Sequence, residues 1–299
     1  MTEVAVTLCT FRRPEVAETL RSLDRQVLPD DVSMRIIVAD NDETPSGRAA
    51  VEGTGLAVEY VHAPARNISI ARNAGLEAAG NADWIAFLDD DEIAPPDWLT
   101  LLLARAKEMG ADAVFGPAVA QYGPETPDWM RDLDLHSNRP ERRGGTVMTG
   151  HTCNALLRWA GTDWTTQRFD LARGTSGGED TAFFFAIHRM GARFEVCDAA
   201  EVHERVEPKR LSLGWLARRK FRSGQSYAAS ETSATGRLRL AATAAGKTVI
   251  CGAGALLTAP AATRRNFWLL RGAMHLGVIA GCLKMRQPVI YGDDQERPG

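Results

Sequence analysis

The chain of 299 residues is 44% hydrophobic and 24% charged, the composition of an ordinary globular protein, which excludes wholesale disorder and collagen-like structure. Its net charge of −3 conceals a split: residues 1–208 hold 20 Lys and Arg against 34 Asp and Glu, whereas 209–292 hold 14 against a single acid, Glu231. A basic C-terminal third of this kind asks for an anionic partner: a membrane surface, a nucleic acid or a phosphorylated substrate.

Short apolar runs and helical patterns alternate over the first 120 residues. VAVTLC (4–9) is rich in β-branched residues and reads as a buried strand. Pro14 then opens a helix whose Val16, Leu20, Leu23 and Val27 form one stripe. MRIIVAD (34–40) and AVEYVH (57–62) are the second and third strands. Ser69 is placed to cap a helix carrying Ile70, Ala71, Ala74 and Ala78. WIAFLD (84–89) is the fourth strand, Pro96 and Asp97 start a helix running to Met109, and ADAVFGPAV (111–119) is the fifth strand. Residues 120–175 read as irregular, with Pro124, Pro127 and Pro140. A helix over about 178–190 presents Phe183, Ile187 and Met190 on one face, and a strand over 193–203 ends at His203. Helical patterns without a repeat follow from 209.

Strand–helix alternation at this spacing predicts βαβ units and a mostly parallel sheet, with a crevice beyond the carboxyl ends of its strands. Cys9–Arg13, Asp40–Glu43, His62–Arg66 and Asp89–Glu92 should line that crevice, with arginines on one side and carboxylates on the other. In FLDDDE, Asp89 and Asp91 project the same way from the strand end. Two such carboxylates make a hard-oxygen site for Mg²⁺ or Mn²⁺, although acidic turns at strand ends are also common.

The odd and widely spaced cysteines, Cys9, Cys153, Cys197, Cys251 and Cys282, contain no C-x-x-C, so neither a disulfide framework nor a zinc site is expected. MTEVAVTLCTF lacks a basic run followed by an apolar stretch, so no signal peptide is read. The longest uncharged run, 248–263, has 16 residues and contains Pro260, so no transmembrane helix is expected. No G-x-G-x-x-G or Walker pattern follows the first strand. Gly174 to Gly178 spells G-x-S-x-G, but no buried strand precedes it as a nucleophile elbow requires.

TLCTFRRPE (7–15), IIVADND (36–42), ISIARNAGLEAA (68–79), WIAFLDDDEIAPPDWL (84–99) and GGEDTAFFFAIHRMGAR (177–193) resemble, in order and spacing, the family 2 glycosyltransferases of GT-A type. The region of His203 followed by RLSLGWLARRKFRSG (210–224) also resembles the bacterial exopolysaccharide branch, the succinoglycan-type glucosyltransferases. The resemblance implies an α/β GT-A fold: a Rossmann-like, mostly parallel sheet flanked by helices, with a C-terminal helical appendage. It implies a catalytic domain over 1–225, with a nucleotide-sugar half to about 120 and an acceptor half from 121, and a basic helical appendage over 226–299.

It further implies transfer of a sugar from a nucleotide-diphosphate donor, UDP-sugars first, to a hydroxyl of a glycan or lipid-linked oligosaccharide acceptor. By resemblance, Thr10, Arg12 and Asp40 contact the nucleoside or its surroundings, Arg66 and Arg72 flank the third crevice loop as nucleotide-sugar-binding residues, with an ordinary surface arginine the alternative for Arg66, and Asp89 and Asp90 belong to the donor site. Asp91 and Asp89 match the D-x-D that holds Mn²⁺ or Mg²⁺, and His203 would complete the metal shell. Asp180 is the expected base of an inverting transfer, with Glu179 second; two acids at a helix start also complement its dipole. Trp129, His151, Asn154 and Trp164 lie in the segment expected to shape the acceptor site, without assigned roles.

The basic stretch from Lys209 to Arg222, with Trp215 and Phe221, and the later Arg264, Arg265, Phe267, Trp268 and Arg271 suit an anionic membrane interface on the cytoplasmic side, or an ordinary packed appendage. Nucleic acid is disfavoured, since no recognition motif occurs and the body is acidic. A nucleotidyltransferase and a non-catalytic nucleotide- or glycan-binding relative remain as alternatives.

Overall fold

The computed structural model describes every residue except 143, 176, 230–232 and 286–299; Glu231 and the end of the expected appendage therefore lie outside the described residues. In chain order the elements are β1 (Thr2–Thr10), α1 (Val16–Asp24), β2 (Val32–Asp40), α2 (Arg48–Glu52), β3 (Val58–His62), α3 (Ile68–Ala79), β4 (Trp84–Leu88), β5 (Glu92–Ile93), α4 (Trp98–Met109), β6 (Ala113–Phe115) and β7 (Ala118–Gln121). Then follow α5 (Asp128–Leu133), β8 (Asn154–Arg158), α6 (Glu179–Arg189), β9 (Phe194–Val196), β10 (Val202–Arg205), α7 (Leu213–Ala229), α8 (Ala234–Leu257) and α9 (Ala262–Cys282).

Seven strands form one sheet in the order β3-β2-β1-β4-β8-β6-β9. β3, β2, β1 and β4 run parallel, as the βαβ pattern predicts. β8 enters antiparallel between β4 and β6. It arises inside the stretch expected to be irregular, because NALLR is short and lacks the flanking pattern of a βαβ strand. The expected fifth strand splits at Gly116-Pro117 into β6 and β7, and the expected strand 193–203 splits into β9 and β10. A second sheet has the order β5-β10-β7.

Successive residues of the central strands serve opposite faces. Val4, Val6 and Leu8 enter one core with Val16, Leu20, Trp98 and Leu102. Ala5, Ile37, Ile85 and Phe87 enter the other with Leu76, Phe115 and Phe184. Burial on both faces is why these strands read as continuous apolar runs. The α1 stripe ends early: Val16, Leu20 and Leu23 are buried, but the helix stops at Asp24 and Val27 is exposed. On α6, Phe183 and Ile187 are buried while Met190, past the helix end, is exposed.

The chain divides into two compact units. Met1–Val119 and Ser137–Glu204 contain the seven-stranded sheet, and Ala120–His136 joins Arg205 onward in the second. The expected boundary at 225 falls inside the unbroken helix α7. The second unit is helical, with Met130, Leu216 and Leu270 at one centre and Ala228, Ala244 and Val278 at another. Trp129 packs on the first of these centres. α7 and α9 touch backbone to backbone: a Cβ on Gly224 would stand 2.1 Å from the Met274 carbonyl oxygen, and one on Gly277 would stand 1.8 Å from that of Phe221. α8 has 24 residues and a mean hydropathy of 1.5 over its most apolar stretch, so it is long and apolar enough to cross a membrane by length and composition. The expectation of none counted only the uncharged run from 248; the helix itself begins fourteen residues earlier and tolerates Lys247.

Candidate active site

The parallel strands end in register. Thr10 stands opposite Asp40, and Asp40 opposite His62, so the loops after β1, β2 and β3 open at one edge of the sheet. Asp89 follows the last residue of β4 at the same edge. This is the crevice that the strand pattern predicts.

At the ends of β1 and β2, Thr10 and Asp40 are buried. Asp40 organises the β2–α2 loop: it accepts from the Asp42 N–H (2.9 Å), the Gly47 N–H (2.6 Å) and the Tyr60 hydroxyl. Arg12, with φ of 54°, forks onto Asp42 through Nε (2.9 Å) and Nη2 (3.0 Å). Burial works against the charge of Asp42, but the Arg12 hydrogen bond and the Glu43 N–H hold its carboxyl below the ordinary range. Arg66 reaches Glu43 at 3.3 Å. Asp42 and Glu43 were expected to line the crevice with Asp40, but without individual roles.

Asp89, Asp90 and Asp91 meet a group that the motif did not single out. Arg13 hydrogen-bonds Asp90 at 3.2 Å and also pairs with Asp91. Burial raises Asp89 to about 6 against the pull of Arg72, and Asp90 to about 7 against that of Arg13. Glu92 is buried, accepts from the Asp89 N–H at 2.9 Å, and is likewise pushed well up by burial and by Asp89. His203 lies on β10 opposite Ile93 of β5. Among the described residues no group of three or more His, Cys, Asp or Glu side chains stands ready as a ligand set. The short β5–β10 pairing fixes His203 by its backbone, while Arg13 takes the Asp91 carboxylate. The chemistry of Asp89 and Asp91 fits a hard divalent cation, since carboxylate oxygens are its preferred ligands and Arg13 is paired with Asp90 and Asp91.

The loop 169–174 is sewn onto α3 and carries the chain to α6. Asn67, not Ser69, caps α3, accepting from the Ser69 N–H at 3.1 Å, while Ser69 Oγ donates to the Asp170 carbonyl at 2.8 Å. Asn73 exchanges hydrogen bonds with both backbone groups of Phe169. Gly178, at φ of 85°, then turns the chain into α6, a conformation costly for any residue with a Cβ. At the head of α6 the two acids have different surroundings. Glu179 is 2% exposed and pairs with the buried Arg72, whose guanidinium lies over the Phe169 ring. Burial raises Glu179 in spite of Arg72. Arg72 is thus the counter-ion of the buried Glu179.

Asp180 instead faces His151, with Oδ2 2.9 Å from Nδ1. Burial alone would raise Asp180, but the hydrogen bond and charge of His151, then Arg72, bring it down to about 2. Asn154 and Trp164 are structural. Asn154 accepts from Trp98 Nε1 and donates to the Pro117 and Ala200 carbonyls, and Trp164 belongs to the core. A cavity lined by Thr7, Cys9, Arg72, Asp89 and Thr152 lies between the acid run and the residue next to His151.

A mixed sheet with a parallel half, an acid run at its central strand end and a second carboxylate at a helix head define a GT-A glycosyltransferase. Residues 5–161 match the profile of Glycosyl transferase family 2, and the chain belongs to that family. It is 47% identical over 296 residues to the succinoglycan biosynthesis protein ExoM of Rhizobium meliloti (strain 1021), covering 97% of this chain and 96% of that one. Among solved structures it superposes on the mannosyltransferase PcManGT from Pyrobaculum calidifontis, in complex with GDP-Man and Mn²⁺, at a TM-score of 0.61 with 19% identity, covering 91% of this chain and 86% of that one. It also matches S. aureus TarS 1-349 in complex with UDP-GlcNAc, at a TM-score of 0.50 and 18% identity, over 75% of this chain and 66% of that one. The chain thus spans about two thirds of the TarS fragment, and both structural likenesses concern the fold.

Proposed function

We propose that this glycosyltransferase is an inverting, metal-dependent enzyme that moves a sugar from a UDP-sugar to a hydroxyl of a lipid-diphosphate-linked glycan, in exopolysaccharide synthesis at the cytoplasmic face of a bacterial membrane. The observation that carries it is the arrangement of acids in one crevice: a donor-side run at Asp89–Asp91 and a separate, ionised Asp180. The near full-length similarity to ExoM supports the exopolysaccharide setting.

Asp89 and Asp91 would hold Mn²⁺ or Mg²⁺, which supplies charge to stabilise the departing nucleoside diphosphate. Thr10 and the Asp40-ordered loop with Arg12 form the nucleoside side, and Arg66 flanks the diphosphate. The proton of the acceptor hydroxyl leaves at the Asp180 end. Basic residues and exposed apolar side chains of the helical unit support contact with an anionic membrane or a lipid diphosphate.

Incubating the enzyme with UDP- and GDP-sugars, Mn²⁺ and a lipid-diphosphate acceptor tests this. Glycolipid product with release of nucleoside diphosphate is the expected result, and pyrophosphate release would point to a nucleotidyltransferase instead. Asp91→Asn should lower kcat by roughly 10²-fold or more while the fold is kept, from lost charge stabilisation. Full activity in that variant would remove Asp91 from the mechanism.

A further inference from the structure

The burial of His136, in the helical unit, is not explained by its polar partners. The residue is 4% exposed, and neither Nδ1 nor Nε2 has a hydrogen-bond partner. Its ring stacks on Trp215, with centroids 5.4 Å apart and planes at 16°, and meets the Tyr122 ring edge-on at 5.8 Å. A phenyl ring would pack there without stranding two polar atoms. Buried polar groups in folded proteins are almost always satisfied, so an imidazole kept in this position calls for a group from outside the chain to complete it.

The charges around the ring say which kind of group. Arg219 lies one helical turn beyond Trp215 on α7, and its guanidinium sits over the indole at 5.5 Å. The guanidinium of Arg210, from the turn before α7, sits over the same indole at 5.8 Å. Burial, then the charges of Arg219 and Arg210, bring His136 down to about 4, with Asp134 opposing and Lys220 adding. The imidazole is therefore neutral at neutral pH and keeps one N–H to donate. Burial and Arg219 also lower Lys220, a crowding of cations that an anion would relieve. The neighbouring acids make contacts of their own: Glu207 reaches Lys209 at 2.9 Å and Arg210 at 3.5 Å, and Asp134 accepts from the Tyr122 hydroxyl at 3.3 Å. Residues 205–222 hold seven Lys and Arg against one acid, Glu207, so the surplus is positive. All of these residues belong to the second unit.

We propose that His136, Arg210, Trp215, Arg219 and Lys220 form a binding site for a diphosphate group. The two guanidiniums and the ammonium meet its phosphate oxygens, the imidazole N–H donates to one of them, and Trp215 holds the guanidiniums and the imidazole on one aromatic ring. Arginine suits the planar, two-pronged contact that phosphate offers. A diphosphate, with several negative charges spread over two phosphoryl groups, answers three cations better than a single carboxylate does. Resting on the transfer reaction proposed above, this diphosphate is that of the lipid-linked acceptor. The site holds the acceptor and takes no part in making or breaking bonds.

The test is isothermal titration calorimetry of the full chain with inorganic pyrophosphate and farnesyl diphosphate, in EDTA so that no metal mediates binding at the acid run. Both probes should bind. His136→Phe, which keeps the ring stack, and Arg219→Gln should each weaken both by about tenfold or more, the worth of a hydrogen bond to a charged group. Arg239→Gln, exposed on α8 and outside the cluster, should change neither. His136→Phe should leave the melting temperature unchanged or raise it, because it removes two stranded polar atoms; a residue with a structural role alone would show the reverse, lower stability with binding kept. In the transfer assay the acceptor KM should rise by a similar factor with kcat little changed, the pattern of lost ground-state binding. Unchanged binding of both probes in His136→Phe and Arg219→Gln would overturn the proposal. So would inorganic phosphate binding as tightly as pyrophosphate, or phosphatidylglycerol vesicles being bound through His136 with no binding of pyrophosphate, which would give the cluster to phospholipid head groups. If the variants lose diphosphate binding while the wild type transfers no sugar, the site stands and the proposed reaction falls.

Discussion

Arg72 and Glu179 are 107 positions apart, yet each is the other's counter-ion in the interior. Glu179 Oε2 has no further hydrogen-bond partner, so the pair depends on its single contact. Removing one member of a buried ion pair leaves a charge that neither water nor protein compensates. Glu179→Ala should therefore lower unfolding free energy by about 3–5 kcal/mol in urea titrations. The double variant Arg72→Met/Glu179→Leu should recover most of that loss, and a single-variant cost near zero would show that the pair is not a structural anchor. The same comparison explains why neighbouring acids take different roles. Glu179 is spent on Arg72, and Asp180, one residue on, is left to His151.

At the scale of elements, helix packing in the second unit rests on small residues. Gly224 and Gly277 allow α7 and α9 to approach until a Cβ would strike the opposing carbonyl. Gly277→Ala should cost about 1–3 kcal/mol through forced separation of the helices. Gly246→Ala, in α8 with open space around its Cβ, should instead be neutral or stabilise by about 0.4–1 kcal/mol. Thermal unfolding of the two variants side by side checks the difference, and equal melting temperatures would refute close packing as the reason. The acid run follows a similar logic of placement. It is carried by the end of a buried strand, which fixes the backbone and lets the loop turn its carboxylates to Arg13.

The whole molecule combines an acidic, sheet-based unit with a basic helical one. α8 leaves Leu238, Val249, Ile250, Leu256 and Leu257 exposed, the last two at 79% and 85%. Apolar side chains beside a surplus of Lys and Arg suit an anionic bilayer interface. The protein should sediment with phosphatidylglycerol vesicles, bind phosphatidylcholine vesicles weakly, and be released by salt. Leu256→Glu/Leu257→Glu should abolish the binding with little loss of stability, because both side chains are already in solvent. Equal binding to both vesicle types, or no effect of the double variant, would refute the membrane contact.

The sequence by itself determined the parallel strands, the strand-end acids, the helix head at Glu179-Asp180 and the charge split, because these are written in local periodicity and composition. It also carried the family, through five motifs in order. The insertion of β8 between β4 and β6, the transfer of Ala120–His136 to the helical unit, and the partners of each acid were decided only by the tertiary structure. The physical reason is distance along the chain. Arg13 reaches Asp91 across 78 positions and His151 reaches Asp180 across 29. No local pattern specifies which charge a buried carboxylate will meet; packing selects the partner.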